Sequence, residues 1–435
     1  MAGGHAGAVT DVVPPEVFWI RQQVTDPSVA DPAARTHETL AELDLGARVT
    51  PGQTVAVGVG SRGITNLATV VRATVAHLRG LGLEPFVVPA MGSHGGGTAT
   101  GQEAVLAGYG ITDAEVGCPV RATMEVVELG RSELGFPIWF DALAAAADHV
   151  VVINRVKPHT HFEGEVESGL AKMLLVGLGK GDGASTYHRA VYDHEWPRIL
   201  ATVAPTVLAD VSLLAGVALV ENAADETARI EALAGDELLR REPALLADAR
   251  EHLPRLPFDD VDIVLIDQIG KDISGAGWDT NTLGRKGSMH EVDPKQRPRV
   301  RTIAVRGLTP GTKGNAMGVG LAELCRTRVL EEMDREATWV NALASGDLPA
   351  AMAPMHYDTD LELLAACSTR SGLRDLPAAR LCWIRNTLDL GVLACSTAFL
   401  DEARQRSDLT VLSEPVPLPV DAAGNLPDLV PIAGD

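Results

Sequence analysis

Histidine is the side chain whose ordinary pKa lies nearest neutrality, so a gathering of histidines is where a protein can move protons at physiological pH. Four of the twelve fall within 36 residues, at His159, His161, His188 and His194, in a glycine-rich stretch. Such density points to chemistry rather than to four unrelated structural roles. A further one, His94, stands in AMGSHGGGTATG, where glycine lets the backbone come close to a ligand. It reads as a general base. Arg62, in GVGSRGITN, stands where a strand gives way to a helix. Helix amides favour anions there, and a guanidinium fork matches a carboxylate. The run GLGKGDGAS, residues 177–185, looks like a phosphate cradle with Gly179 and Gly181 at its close-approach positions. It is not a Walker A loop, because Gly181 rather than Ser or Thr follows Lys180.

These residues need elements to hold them. From Thr54, TVAVGVG is a short buried-strand run closed by a glycine turn, TNLATVVRATVAHLRGLG has helical spacing, and EPFVVPAMG is strand again. Strand, helix, strand at this spacing implies a parallel sheet. Ligands in such sheets sit beyond the carboxyl ends of the strands, so the loops after Val59 and Pro89, with Arg62 and His94, are where a site is expected. A further strand, DHVVVIN, ends at Asn154 and runs into the histidine-rich stretch. Next come an apolar run ending at Asn222, a helical stretch from Thr227 to about His252, and a hinge at PRLPF. Beyond it, DIVLIDQIG begins a second α/β region, with RVRTIAVRGL and DLTVLSE as later strands. The opening fifty residues read as an arm on the body, and the Pro-rich C-terminus from Ser413 as surface chain. The expected fold is α/β, with two α/β domains (1–255 and 256–435), mainly parallel sheets and an active-site cleft between them.

Composition narrows the function. The 435 residues carry a formal charge of −21, with no basic tail, which argues against nucleic-acid and anionic-membrane partners. The longest apolar stretch, Val211–Val220, is half of what a membrane span needs. Aromatics are only 4%, so the core is expected to rest on Ala, Val, Leu and Ile. The five cysteines form no close pair along the sequence, and a cytoplasmic protein is expected.

At KPHTHFEGEVESGLAK the chain resembles the nickel-dependent lactate racemase family, whose members use a nickel-pincer nucleotide. The resemblance runs in order from about Thr54 to beyond Lys271. It implies that Lys172, closing the SGLAK stretch opened by Ser168, carries the covalently tethered pyridinium cofactor. His188, sixteen residues on, matches the family's nickel ligand. His161 matches one catalytic base, with His159 as its rival, and His94 in GSH matches the other. Ser61 and Arg62 match the substrate-binding Thr-Arg pair, Gln268 and Lys271 the Gln-x-x-Lys clamp, and Trp339 a tryptophan near the site. The implied partners are a 2-hydroxy acid and the proteins that build the cofactor.

The chain departs from the family pattern at Val59, where an aspartate is usual, at Asp267, where a tyrosine is usual, and at Ala171, where an arginine is usual. His161 is also one residue further from the lysine. Asp267 and the polar stretch DISGAGWDTNTLGR read as suited to a polyhydroxylated acid such as a sugar acid. The implied chemistry inverts C2: one histidine takes the hydroxyl proton while C2 gives a hydride to the cofactor, and hydride returns to the other face. Two bases serve the two enantiomers. In one unbroken helix His188 would stand about 160° round from Lys172; GLGKGDG supplies the break that lets them converge. Two alternatives stay open. His159-Thr160-His161 is similar to the metal-binding pair of zinc amidohydrolases, and a non-catalytic family member would bind a sugar acid or nucleotide.

Overall fold

The computed structural model describes residues 13–23, 27–61, 63–161, 163–286 and 296–428. The chain opens with β1 (Glu16–Gln22), whose residues Val17–Ile20 are buried. It forms two compact units: Asp26–Leu253, and Met1–Thr25 together with Pro254–Asp435.

In the unit Asp26–Leu253 the strands are β2 (Thr54–Val59), β3 (Glu84–Pro89), the hairpin β4 (Val126–Arg131) and β5 (Pro137–Asp141), β6 (His149–Arg155), β7 (Leu213–Glu221) and β8 (Thr227–Ala234). The main sheet has the order β3-β2-β6-β7-β8. Its first four strands are parallel and β8 closes it antiparallel. Because side chains alternate along a strand, the sheet buries two faces. Val55, Val57, Val59, Val151 and Ile153 meet Val70, Val71 and Leu78 of the helix Leu67–Gly80. On the other face Ala56, Val88, Val150 and Val152 meet Leu170, Leu174, Leu175 and Leu178. The segment bearing Lys172 is thus pressed against the sheet by its leucines. Connections from β2 and from β6 leave in opposite directions, so the strand order reverses between them, where open α/β sheets bind ligands.

The second unit continues with β9 (Asp260–Ile266), β10 (Arg299–Val305), β11 (Leu324–Arg326), β12 (Met355–Tyr357), β13 (Leu381–Ile384), β14 (Val392–Ser396), β15 (Leu409–Val411) and β16 (Val416–Pro417). The order is β12-β11-β10-β9-β13-β14-β1-β15, with β16 also on β1. The half from β12 to β13 is parallel; β14, β1, β15 and β16 pair antiparallel. This is an α/β fold with two sheet-centred units. Among the described residues no helix is long and apolar enough to cross a membrane.

Several local expectations are corrected. Among the described residues the first fifty do not form an arm: β1 is an inner strand of the second unit's sheet, and Pro32–Ala41 is a helix capped by Asp31. The unit boundary falls at PRLPF, but residues before 25 belong with the chain after it. The stretch from Thr227 begins as β8 and turns helical only after it, with a 3-10 turn over Gly235–Glu237 and an α-helix from Leu238. Residues 413–428 are anchored, since Leu418 and Leu426 are buried and Arg306 donates to the Leu426 and Pro427 carbonyls. Finally, Cys382 and Cys395, thirteen residues apart in sequence, face each other across β13 and β14.

Candidate active site

The loops that follow β2, β3 and β6 leave one edge of the first unit's sheet, because these strands are neighbours and parallel. The β2 loop carries Ser61; Arg62 lies outside the described residues. The β3 loop carries His94, half-buried, followed by Gly95, Gly96 and Gly97 at φ values of 65°, 68° and 67°. Three left-handed residues in a row suit only glycine, and they turn the chain into the helix Ala99–Gly108, capped by Thr98. Ser61 Oγ and His94 Nδ1 are 2.5 Å apart, so the two loops meet at a hydrogen bond.

The β6 loop folds around a buried carboxylate. Glu167 accepts from the amides of His159 (2.7 Å) and Gly164 (3.2 Å) and pairs with Arg250 at 2.7 Å. His159 Nδ1 in turn accepts from the His161 amide at 3.1 Å, and the two rings are 6.1 Å apart. Lys157 and Ser168 close the loop with reciprocal backbone hydrogen bonds.

Beyond Ser168 the chain enters a short helix, Leu170–Lys172, which widens into a π-helical turn over Met173–Gly177; Leu178 donates to the Met173 carbonyl at 2.8 Å. Such turns are uncommon and gather at functional sites. The next helix, Lys180–Ala190, starts from Lys180 in the left-handed region at φ 52°. The chain is therefore redirected between Lys172 and His188. The result is electrostatic: burial lowers the His188 pKa below its ordinary value, and Lys172 and then His161 lower it further. Lys172 and His161 thus both bear on His188. His188 is a neutral imidazole at pH 7, the form that binds metal.

Lys180 is not a phosphate lysine. Its ammonium is fully buried against Asp141, also fully buried, at 2.9 Å. It donates as well to the carbonyl of Pro89 (2.7 Å) and to Gln102 Oε1 (3.2 Å). Gln102 passes the contact on, donating to the Gly92 carbonyl at 2.7 Å and to that of His94 at 3.4 Å. Three acceptors satisfy three N–H groups, and together they bind the loop bearing His94 to the start of the helix bearing His188. Gly179 packs likewise: a Cβ there would lie 2.4 Å from the Leu175 carbonyl oxygen, so its close approach is to protein. At Gly181 only Met124 is near, at 3.8 Å.

The sequence reading did not single out Glu242. It is fully buried in the helix Leu238–Glu251 and its Oε2 accepts from the Ala171 amide at 2.9 Å. Burial pushes its pKa up to about 7, opposed by the amides of Ala171 and Leu170. A signal was present: position 242 falls on the apolar stripe of Leu238, Leu245, Leu246 and Ala249, where a charge needs a partner.

Gln268 and Lys271 belong to the other unit. Lys271 Nζ donates to the Gly275 carbonyl (2.5 Å) and to Asn341 Oδ1 (2.7 Å). Asn341 shares the helix Arg335–Ser345 with the exposed Trp339. Asp267 is corrected outright. Its carboxylate is fully buried, ion-paired to Arg306, and accepts from Trp383 Nε1 at 2.6 Å. It is part of the core, not a group that selects a polyhydroxylated acid. Among the described residues no group of three or more His, Cys, Asp or Glu side chains converges as a metal site.

The chain is similar to a solved structure, the lactate racemase apoprotein of Thermoanaerobacterium thermosaccharolyticum. The TM-score is 0.50 at 13% identity, over 83% of this chain and 95% of that one. That likeness establishes the fold. No family model matches the sequence, and no curated protein matches it either.

Proposed function

We propose that the protein is a racemase or epimerase acting at C2 of a 2-hydroxy acid, with a nickel-pincer nucleotide tethered at Lys172. The observation that carries this reading is the turn of the chain between Lys172 and His188, through the π-helical turn Met173–Gly177 and the left-handed Lys180, with the charge of Lys172 bearing on a half-buried His188. The shared fold supports it. The residues fit the group: Lys172 offers an amine, and His188 offers a half-buried neutral imidazole suited to nickel. Ser168 and Gly181 border the same segment and are proposed cofactor contacts. When bound, the nucleotide would accept the C2 hydrogen with its electron pair.

The chain's own residues do the rest. His94 accepts the hydroxyl proton of one enantiomer at Nε2, which requires Nδ1 to carry its proton and donate to Ser61 Oγ. His161 serves the other enantiomer. It is preferred to His159 because His161 contributes to the field at His188, while the Nδ1 of His159 holds the loop. Arg62 is assigned to the substrate carboxylate; Gln268 and Lys271 keep the substrate-binding roles that the resemblance implies, and Gly275 and Asn341 fix the direction of the Lys271 ammonium. Cofactor-building enzymes are the implied partners.

The test is peptide mass mapping and a nickel assay on protein made alongside those enzymes. A nucleotide-sized adduct on the Lys172 peptide, absent in Lys172→Ala, is expected, with nickel lost in His188→Ala. An unmodified Lys172 peptide, with a lactate racemase loaded in parallel, would overturn the reading.

A further inference from the structure

Lys172 lies in the first turn of a helical segment that is π-helical from Met173 to Gly177. The α-helical part is three residues long, and it begins at Gly169, whose backbone is extended rather than helical. Its first amides have no partner in the helix, as at any helix start. They find one outside it, in a side chain seventy residues away: Glu242 accepts from Ala171, and the Leu170 amide bears on the same carboxyl group. Glycine at 169 makes room for this. A Cβ there would stand 2.0 Å from Glu242 Oε1 and 3.2 Å from Val156 Cγ2.

We propose that Glu242 is a positioning residue for Lys172, fixing from inside the unit the turn that aims the lysine. The inference rests on the reading that Lys172 carries the tether. Two features set this carboxyl group apart from an ordinary cap. It is fully buried, where burying a charge costs far more than a surface cap returns. Its helix also reaches the sheet, since Leu238, Leu245 and Leu246 join the core that holds Leu170, Leu174 and Leu178. The amides before Lys172 are thereby referred to the sheet rather than to a loop. The π-helical turn begins at the residue after Lys172, so the lysine sits between a fixed start and a widened turn.

The test uses the full chain without cofactor. Glu242→Gln keeps the reach of the side chain and removes its charge; Glu242→Asp keeps the charge and withdraws it by one methylene. Lys172 is followed by competitive acetylation with acetic anhydride and peptide mass spectrometry, against the exposed Lys313 as reference. Amide hydrogen exchange is read at Leu170 and Ala171. In Glu242→Asp those amides should exchange about tenfold faster or more, and the half-buried Lys172 should acetylate about fivefold faster. Glu242→Gln should restore both to near the parent values. A purely structural role would lower the unfolding midpoint and leave Lys172 labelling of the folded chain unmoved. If Glu242→Asp fails to fold, Gly169→Ala displaces the carboxyl group from the other side and is read the same way. Unchanged or slower labelling with unchanged exchange overturns the proposal. Its failure is distinct from that of the tether reading: positioning is measured without cofactor, whereas the tether stands or falls on the adduct.

Discussion

Ser61 Oγ and His94 Nδ1 lie 2.5 Å apart, joining the loops that leave two adjacent parallel strands. A hydroxyl can donate to that nitrogen or accept from it, and the proposed role of His94 requires that it accept. With Nδ1–H donating to Ser61, Nε2 is left as the proton acceptor. Ser61→Ala should lower racemisation roughly tenfold, well short of the ~10²–10⁴-fold expected for removing the base in His94→Ala. Nitrogen-15 NMR of His94 should show the tautomer becoming mixed. An unchanged tautomer and rate in Ser61→Ala would remove Ser61 from the site.

Lys180 and Asp141 form an ion pair with neither side chain exposed. Removing one partner leaves the other buried and uncompensated, which costs about 3–5 kcal/mol. Lys180→Met and Asp141→Leu should each shift the urea midpoint by that order, and the double variant should lose much less than their sum. Additive losses would show that the two do not act as a pair.

Asp267 gives a third expectation. Arg306 is held by Asp267 and Asp360, both fully buried. Asp267→Asn should cost about 3 kcal/mol in urea unfolding, with substrate preference unmoved. A stable variant with altered preference among hydroxy acids would return Asp267 to the substrate.

Glu242 makes stability depend on pH in a direction opposite to that of a paired carboxylate. Its folded pKa, about 7, lies above the ordinary 4.5, so the folded chain holds the proton more tightly between those values. The contribution is fully present below pH 4.5 and is lost as pH rises to about 7. Above that a deficit of roughly 3 kcal/mol remains. Glu242→Gln carries no such proton, so its stability relative to the parent should rise between pH 5 and 7.5. A difference flat in pH would mean that the carboxyl group ionises normally.

The placing of the loops at the candidate site was legible in the sequence because strand ends are. TVAVGVG, EPFVVPAMG and DHVVVIN are short, apolar and closed by turn residues. Once read as parallel neighbours, they must send their loops to one edge, so the placing of Ser61, His94 and His159–His161 followed. What stayed hidden were the residues that hold those loops from inside. Lys180 among glycines has the composition of a phosphate loop, and only tertiary structure shows its ammonium turned inward to Asp141. Glu167 looks like any acidic loop residue until two amides and Arg250 are found around it. The strand TARIEALA alternates correctly, but its alanines favour helix and its neighbour is a helix, so local preference overrode the period of two. The start of the chain was misread for another reason: β1 gains its burial only from strands that come much later.

That last pairing has a consequence for how the protein is made. Val17, Phe18, Trp19 and Ile20 leave the ribosome well before the partners they pair with in Val392–Ser396 and Leu409–Val411. At common synthesis rates the wait is of the order of half a minute. During it the unit Asp26–Leu253, whose sheet needs nothing from outside residues 54–234, can complete itself. A nascent chain with the Lys172 unit already folded would carry β1 unpaired, an exposed apolar strand of the kind that aggregates unless protected. A change in Val17–Ile20 will therefore be felt in the unit that lies beyond residue 254, not in the one that follows β1 directly.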